Sequence, residues 1–221
     1  MTTMLKYPGQ KNIPGTLQTI INEIPVHSHY YELFAGTGAI GQQLPFRKSK
    51  HYNDLNADIL QSIREPSGNT VTKTTVAAIT ILQELSTAGT DTFLLLDPPY
   101  LHNCRKNPKI YKHEMSESDH IQLLHALQLL KCNCMIIHPA CKIYDHALQS
   151  WRPIQIKIRY NKKTSIEKLY MNYPVPTELQ TYKYMGKDCW QRQGLKRKAH
   201  RHLKLSLPIQ FTQSSYRTDM I

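Results

Sequence analysis

An apolar run, Phe93 to Leu96, leads straight into Asp97, Pro98, Pro99 and Tyr100. A buried strand that ends on a carboxylate and then on two prolines presents an acceptor on a backbone that cannot relax away from it. A second group of reactive types lies upstream. In "YELFAGTGAIG", Glu32 is followed by Gly36, Gly38 and Gly41. The glycines permit positive φ and let a ligand approach the backbone closely. Their spacing fits G-x-G-x-x-G, but an acid just ahead of the turn suits a cationic group better than a pyrophosphate. A third acid, Asp54, ends the short stretch "KHYND". A carboxylate at such a strand end is placed to accept both hydroxyls of a ribose. Together these residues describe a site for a nucleoside that carries positive charge. S-adenosylmethionine, with its ammonium and sulfonium, has that character.

The elements that must position these residues alternate along the chain. Leu17, Ile20, Ile21 and Ile24 recur at helical spacing and predict a helix over 14–24. Strands are predicted at 29–34, 50–54, 69–74, 92–97 and 132–138. Helices are predicted at 57–64, 76–85 and 116–130, and a helix is expected after the glycine turn. Ser116, with Asp119 three residues on, forms an acidic variant of the capping box. "IQIKIRY" and "SIEKLYMNY" alternate polar and apolar residues across "NKKT" and predict an antiparallel hairpin. Strands alternating with helices imply a mostly parallel, Rossmann-like α/β sheet covered on both faces. Ligands in such a sheet sit outside the carboxyl ends of the strands, where both suspect turns fall.

The 221 residues suffice for one substantial domain with an appendage. Two prolines in "YPVPTEL" set the boundary, giving a catalytic domain over 1–175 and a basic helical extension over 176–221. A formal charge of +12 favours a polyanionic partner. Cys104, Cys132, Cys134, Cys141 and Cys189 are odd in number and irregularly spaced. They imply no disulfide framework and no evident metal site, and free core thiols in a reducing cytoplasm fit them better. Cys132 and Cys134 should share one face of a strand. No signal peptide is recognised, and no apolar run reaches membrane length.

Five stretches in order, "LKYPGQK", "ELFAGTGAI", "NDLNADI", "LLLDPPYL" and "IEKLYMNY", bring a family into view. The chain resembles the DNA adenine N6-methyltransferases, in particular the Dam-like group and its phage-borne members. The resemblance implies a methyltransferase fold, S-adenosylmethionine as cofactor and duplex DNA as partner, with or without a companion restriction enzyme. It implies that Lys6, Tyr7, Gly9 and Lys11 help to close the cofactor site. Glu32, Phe34, Ala35, Gly36 and Gly38 would hold the methionine part, and Asp54 the ribose. Asp97, Pro98, Pro99 and Tyr100 would be the catalytic loop, with Asp97 also beside the cofactor. The exocyclic amine of adenine is a poor nucleophile because its lone pair is delocalised into the ring. Asp97 and the carbonyl of Pro98 could accept its two N–H groups and direct the lone pair at the methyl. Tyr100 would stack on the base, which must first be flipped out of the duplex.

The sequence also departs from the family. "MIIHPAC" puts His138 and Pro139 where a small turn is usual, so a changed adenine pocket is expected. No acid lies near Val76, which leaves a backbone group or Thr75 to meet the cofactor's adenine. The interval between Asp54 and Asp97 is too short for a separate recognition domain. DNA contacts are therefore expected from Arg105, Lys106, Lys109, Tyr111 and Lys112, where basic and aromatic residues interleave. Further contacts are expected from the tail, which includes Arg192, Lys196, Arg197, Lys198 and Arg201. Two other activities stay open, methylation of cytosine N4 or RNA adenine, as does DNA binding by a decayed enzyme. A monomer and a dimer are both compatible with the sequence.

Overall fold

The computed structural model describes residues 11, 15–105, 110–160, 163–182, 194 and 197. The elements run α1 (Thr16–Ile21), β1 (His29–Leu33), β2 (Ser49–Asn53), α2 (Ala57–Leu60), β3 (Thr70–Thr74), α3 (Ala78–Glu84), β4 (Thr92–Leu96), α4 (Glu117–Gln128), β5 (Asn133–Pro139), α5 (Lys142–Ala147), β6 (Arg152–Tyr160) and β7 (Lys163–Met171). The seven strands form one sheet in the order β3-β2-β1-β4-β5-β7-β6. The first five are parallel, and β7 runs antiparallel to both of its neighbours. The fold class expected from the sequence is the one observed.

β4 is buried along its whole length, as its lack of polar alternation requires. Its side chains divide by the period of two. Phe93 and Leu95 face one core with Met135, Ile137, Leu169 and Met171, closed by α1 through Leu17, Ile20 and Ile21. Leu94 and Leu96 face the other with Cys134 and Ile136, closed by α3, α4 and α5. Cys132 and Cys134 do share a face. α4 starts at the expected place. Ser116 Oγ accepts the Asp119 N–H at 3.2 Å, and Asp119 accepts the Ser116 N–H at 2.8 Å.

Two differences bear on the site. The chain after the glycine turn forms no α-helix, only one 3₁₀ turn, Gly41–Gln43. Pro45 follows at once and cannot donate the next hydrogen bond. Conversely, α5 was not signalled, because it is six residues long and carries no clear apolar stripe.

Two compact units divide the chain, Met1–Tyr184 and Met185–Ile221. Residues beyond 175 still bond to the sheet domain. Leu179 bridges Pro25, and Gln180 donates its N–H to the Ile24 carbonyl at 3.0 Å. Of the second unit, only Gly194 and Arg197 are described, both helical.

Candidate active site

β1, β2 and β4 lie side by side, with Leu33 in register with both Asn53 and Leu96. Their carboxyl ends therefore open together, and a cleft lies there. It is lined by Glu32 from β1, Phe34 to Thr37 from the glycine turn, Asp54 after β2, and Asp97 and Pro99 after β4. Lys11 and the segment 113–115 complete the walls, with Tyr111. Residues far apart in sequence, chosen for their types, thus share one cavity.

The turn is conformationally costly. Phe34, a bulky residue, has φ 60°, and Gly36 and Gly38 follow at 49° and 62°. The left-handed region is uncommon for a side chain such as Phe34. Strain of this kind persists only where surrounding structure fixes it. Asp54 supplies part of that fixation. One of its oxygens accepts the Gly36 N–H at 2.8 Å and the other the Asn56 N–H at 2.8 Å. Each carboxylate oxygen has further lone pairs, so Asp54 can still accept from a ligand.

Glu32 is buried and accepts the Tyr30 hydroxyl at 2.9 Å and the Gly41 N–H at 3.1 Å through one oxygen. Gly41 is needed for close approach. A Cβ there would lie 2.6 Å from Glu32 Oε2 and from the rings of Tyr30 and Tyr52. Burial raises the Glu32 pKa to about 8, with nearby Asp97 adding to the rise, against the two hydrogen bonds and Lys50.

Asp97 is about a fifth exposed, with its carboxylate at the cleft. Lys11 Nζ donates to its two oxygens at 2.8 and 2.7 Å and to the Tyr100 hydroxyl at 2.8 Å. Glu167, from β7, was not singled out from the sequence. It is buried, accepts the Tyr100 hydroxyl at 2.5 Å, and has its other oxygen 3.5 Å from the same lysine. Two carboxylates, an ammonium and a phenol thus form one network. Burial raises Asp97 to about 6; Lys11 opposes the rise and Glu167 reinforces it. The only sequence signal for Glu167 is an acid at an inward position of a strand, which shows only once the strand's facing is known.

His138 is not among the residues that line the cleft. It is buried behind Tyr100, with ring centroids 5.4 Å apart, and stacks on Tyr144 at 3.8 Å. Its Nε2 accepts the Leu101 N–H at 3.2 Å, so it fixes the chain just after the tetrad. The Val76 backbone is already engaged, with one lone pair of its carbonyl left over. Its N–H and carbonyl are both held by the Asn53 side chain.

The residues expected to meet DNA are placed unequally. Arg105 forks onto Glu114, its side chain only 4% exposed, with its guanidinium 5.3 Å from the Tyr111 ring centroid. A phosphate would have to displace Glu114 to reach it. Tyr111 stands edge-on to Tyr100 at 6.5 Å. Lys112 is exposed, 3.5 Å from Asp58. Arg197 is exposed on a helical residue. Lys6, Tyr7, Gly9, Lys106, Lys109, Arg192, Lys196, Lys198 and Arg201 lie outside the described residues.

The fold and cleft define a Rossmann-like α/β protein with an acid-lined cleft at the carboxyl ends of its parallel strands. No protein-family model matches the sequence, and no curated protein matches it. Distant likenesses exist among solved structures. The precorrin 8w decarboxylase of Methanobacterium thermoautotrophicum is 10% identical, covering 75% of this chain and 92% of its own, with TM-score 0.47. The magnesium protoporphyrin IX methyltransferase of Synechocystis PCC 6803, with bound S-adenosylmethionine, is 10% identical over 72% and 78%, with TM-score 0.46. The N-methyltransferase NodS of Bradyrhizobium japonicum is 11% identical over 71% and 92%, with TM-score 0.45. At such distances the functional reading rests on the site's own residues.

Proposed function

We propose that the chain transfers a methyl group from S-adenosylmethionine to the N6 amine of adenine in DNA. The observation that carries this reading is the shared cleft, in which Asp97 meets the same cavity as Glu32 and Asp54. The donor set fits the cofactor. Glu32 offers a carboxylate to a cation, Asp54 an acceptor to a ribose, and the glycine turn a backbone that a ligand can approach. Bound there, S-adenosylmethionine supplies an activated methyl on a sulfonium.

Every other part belongs to the chain. Asp97 and the Pro98 carbonyl accept the two N–H groups of the target amine, and Tyr100 and Tyr111 offer ring surfaces to the flipped base. Lys11 now occupies the Asp97 oxygens, so the amine must take its place. Glu167, 3.5 Å from the same ammonium, gives Lys11 a second carboxylate to move toward. On gaining a methyl the target amine would shed one proton. Asp97, raised to about 6, is matched to take it and pass it to water. The excess of basic residues, including those in the tail, supplies the attraction to a polyanion.

The test is to incubate the protein with labelled S-adenosylmethionine and duplex DNA, single-stranded DNA or RNA, then digest to nucleosides and identify the product by mass. N6-methyldeoxyadenosine from duplex DNA is expected. Methyl groups on cytosine N4 or on RNA alone would reassign the substrate. Cofactor binding without transfer to any of them would make this a decayed enzyme.

A further inference from the structure

We propose that Cys104, His138 and Cys141 form a binding site for a divalent cation of the zinc class. One ligand atom from each lies within 4.8 Å of the other two. Cys141 Sγ is 3.8 Å from His138 Nδ1. Zinc takes thiolates at about 2.3 Å and imidazole at about 2.0–2.1 Å, so ligands on a tetrahedron stand roughly 3.5–3.8 Å apart. One edge already has that length, and the others need to close by no more than about 1 Å. The ligand types are those zinc prefers, with no hard oxygen donor in the set. His138 is buried and both cysteines are half-buried, which shields an ion while leaving it a way in.

The present partners of His138 allow the exchange. Nδ1 contacts the Pro139 carbonyl at 2.8 Å, and Nε2 accepts the Leu101 N–H. Coordination through Nε2 would displace Leu101 and keep Nδ1–H on the carbonyl, the outer partner that metal-bound histidines ordinarily have. Coordination through Nδ1, the nitrogen 3.8 Å from Cys141 Sγ, would displace the carbonyl and move the proton to Nε2, so the Leu101 N–H would have to turn away as well. A second observation points the same way. His120 is fully buried, its Nδ1 meets the Tyr144 hydroxyl at 2.8 Å, and its Nε2 has no partner among the described residues. Its ring centroid is 5.6 Å from that of His138. A buried nitrogen without a partner calls for a water or an ion nearby.

The site would act as a clamp. Cys104 ends the 3₁₀ turn His102–Cys104 that follows the tetrad, and Cys141 is the N-cap of α5. An ion between them ties the segment behind Tyr100 to the end of β5. The inference stands on these residues alone and does not depend on the methyl-transfer reading.

Cobalt titration of the reduced full-length chain tests it. A thiolate-to-cobalt charge-transfer band with tetrahedral visible bands should saturate at one ion per chain and be erased by zinc. Cys104→Ser and Cys141→Ser should each lose the band, while Cys189→Ser keeps it. Should the serine variants not fold, zinc should still slow alkylation of Cys104 and Cys141 in the unaltered protein, read by peptide mass. Absence of the charge-transfer band would overturn the site, as would a band that survives both substitutions. So would a Cys104–Cys141 cross-link in zinc-free protein isolated under non-reducing conditions, since the thiols would then be a disulfide pair.

Discussion

Raising the pH from 6.5 to 7.5 should tighten S-adenosylmethionine binding about sixfold, and the cause is Glu32. In the free protein its pKa is about 8, because burial penalises the charged form more than the Tyr30 and Gly41 hydrogen bonds favour it. It is therefore mostly protonated at neutral pH. A bound cation reverses the balance and draws the carboxyl into its ionised form. Binding must then expel a proton, so affinity rises with pH for as long as free Glu32 remains protonated. The ionised fraction of a group of pKa 8 is roughly 0.03 at pH 6.5 and 0.24 at pH 7.5, a ratio of about eight. Across this window Asp97, raised to about 6, is mostly ionised, while the cofactor's own amine, near 8, loses about a quarter of its charge by pH 7.5 and trims the net gain to about sixfold. Calorimetry in buffers of different ionisation enthalpy counts the protons directly and should find about 0.8 released per cofactor at pH 7. Glu32→Gln should bind more weakly and with a flat pH dependence. A flat profile in the unaltered protein would refute the reasoning, since Glu32 would then be either already ionised or remote from the bound cation.

Asp97→Ala should abolish methyl transfer, by a hundredfold or more, while cofactor binding measured by calorimetry changes little. Asp54→Ala should weaken cofactor binding by about 1.5–3 kcal/mol and lower the melting temperature, because the carboxylate also ties Gly36 to Asn56. Gly41→Ala should cost about 1–3 kcal/mol in denaturant unfolding, since its Cβ would sit 2.6 Å from Glu32 and two tyrosine rings. Truncation before residue 186 should leave a folded, cofactor-binding unit but flatten the salt dependence of DNA binding by about 3–4 units of slope, if about four tail cations meet phosphates. Equal slopes for the two lengths would remove the tail from the interface.

How much of this was legible in the sequence follows from where each signal resides. The parallel strands were readable because β4 is apolar throughout and the hairpin strands alternate, both direct consequences of which faces are buried. Ser116 and Asp119 announced the start of α4, since a cap is a local hydrogen-bond pattern. The helix after the glycine turn was expected from the turn itself, yet Pro45 lay in view and limits the element to one turn. Asp97, Glu32 and Asp54 could be chosen as acids at strand ends. Their convergence on one site was expected from the strand ends, but the order that sets β1 between β2 and β4 was not readable. Glu167 and the neighbours of His138 were hidden for the same reason. They reach their positions through an antiparallel strand and a short helix, and pairing across the sheet leaves no mark in local spacing.

The single 3₁₀ turn after the glycines has a consequence for which molecules can enter. Where a long helix follows such a turn, its aligned peptide dipoles place a partial positive charge at the ligand, which is why this geometry so often holds phosphates. Three residues sum almost no dipole. Here Asp54 carries the charge nearest the turn, while Asp97 is paired with Lys11 and Glu32 stays protonated until a cation draws its proton away. Dinucleotides and nucleoside triphosphates would meet repulsion where other proteins with this glycine spacing offer them attraction.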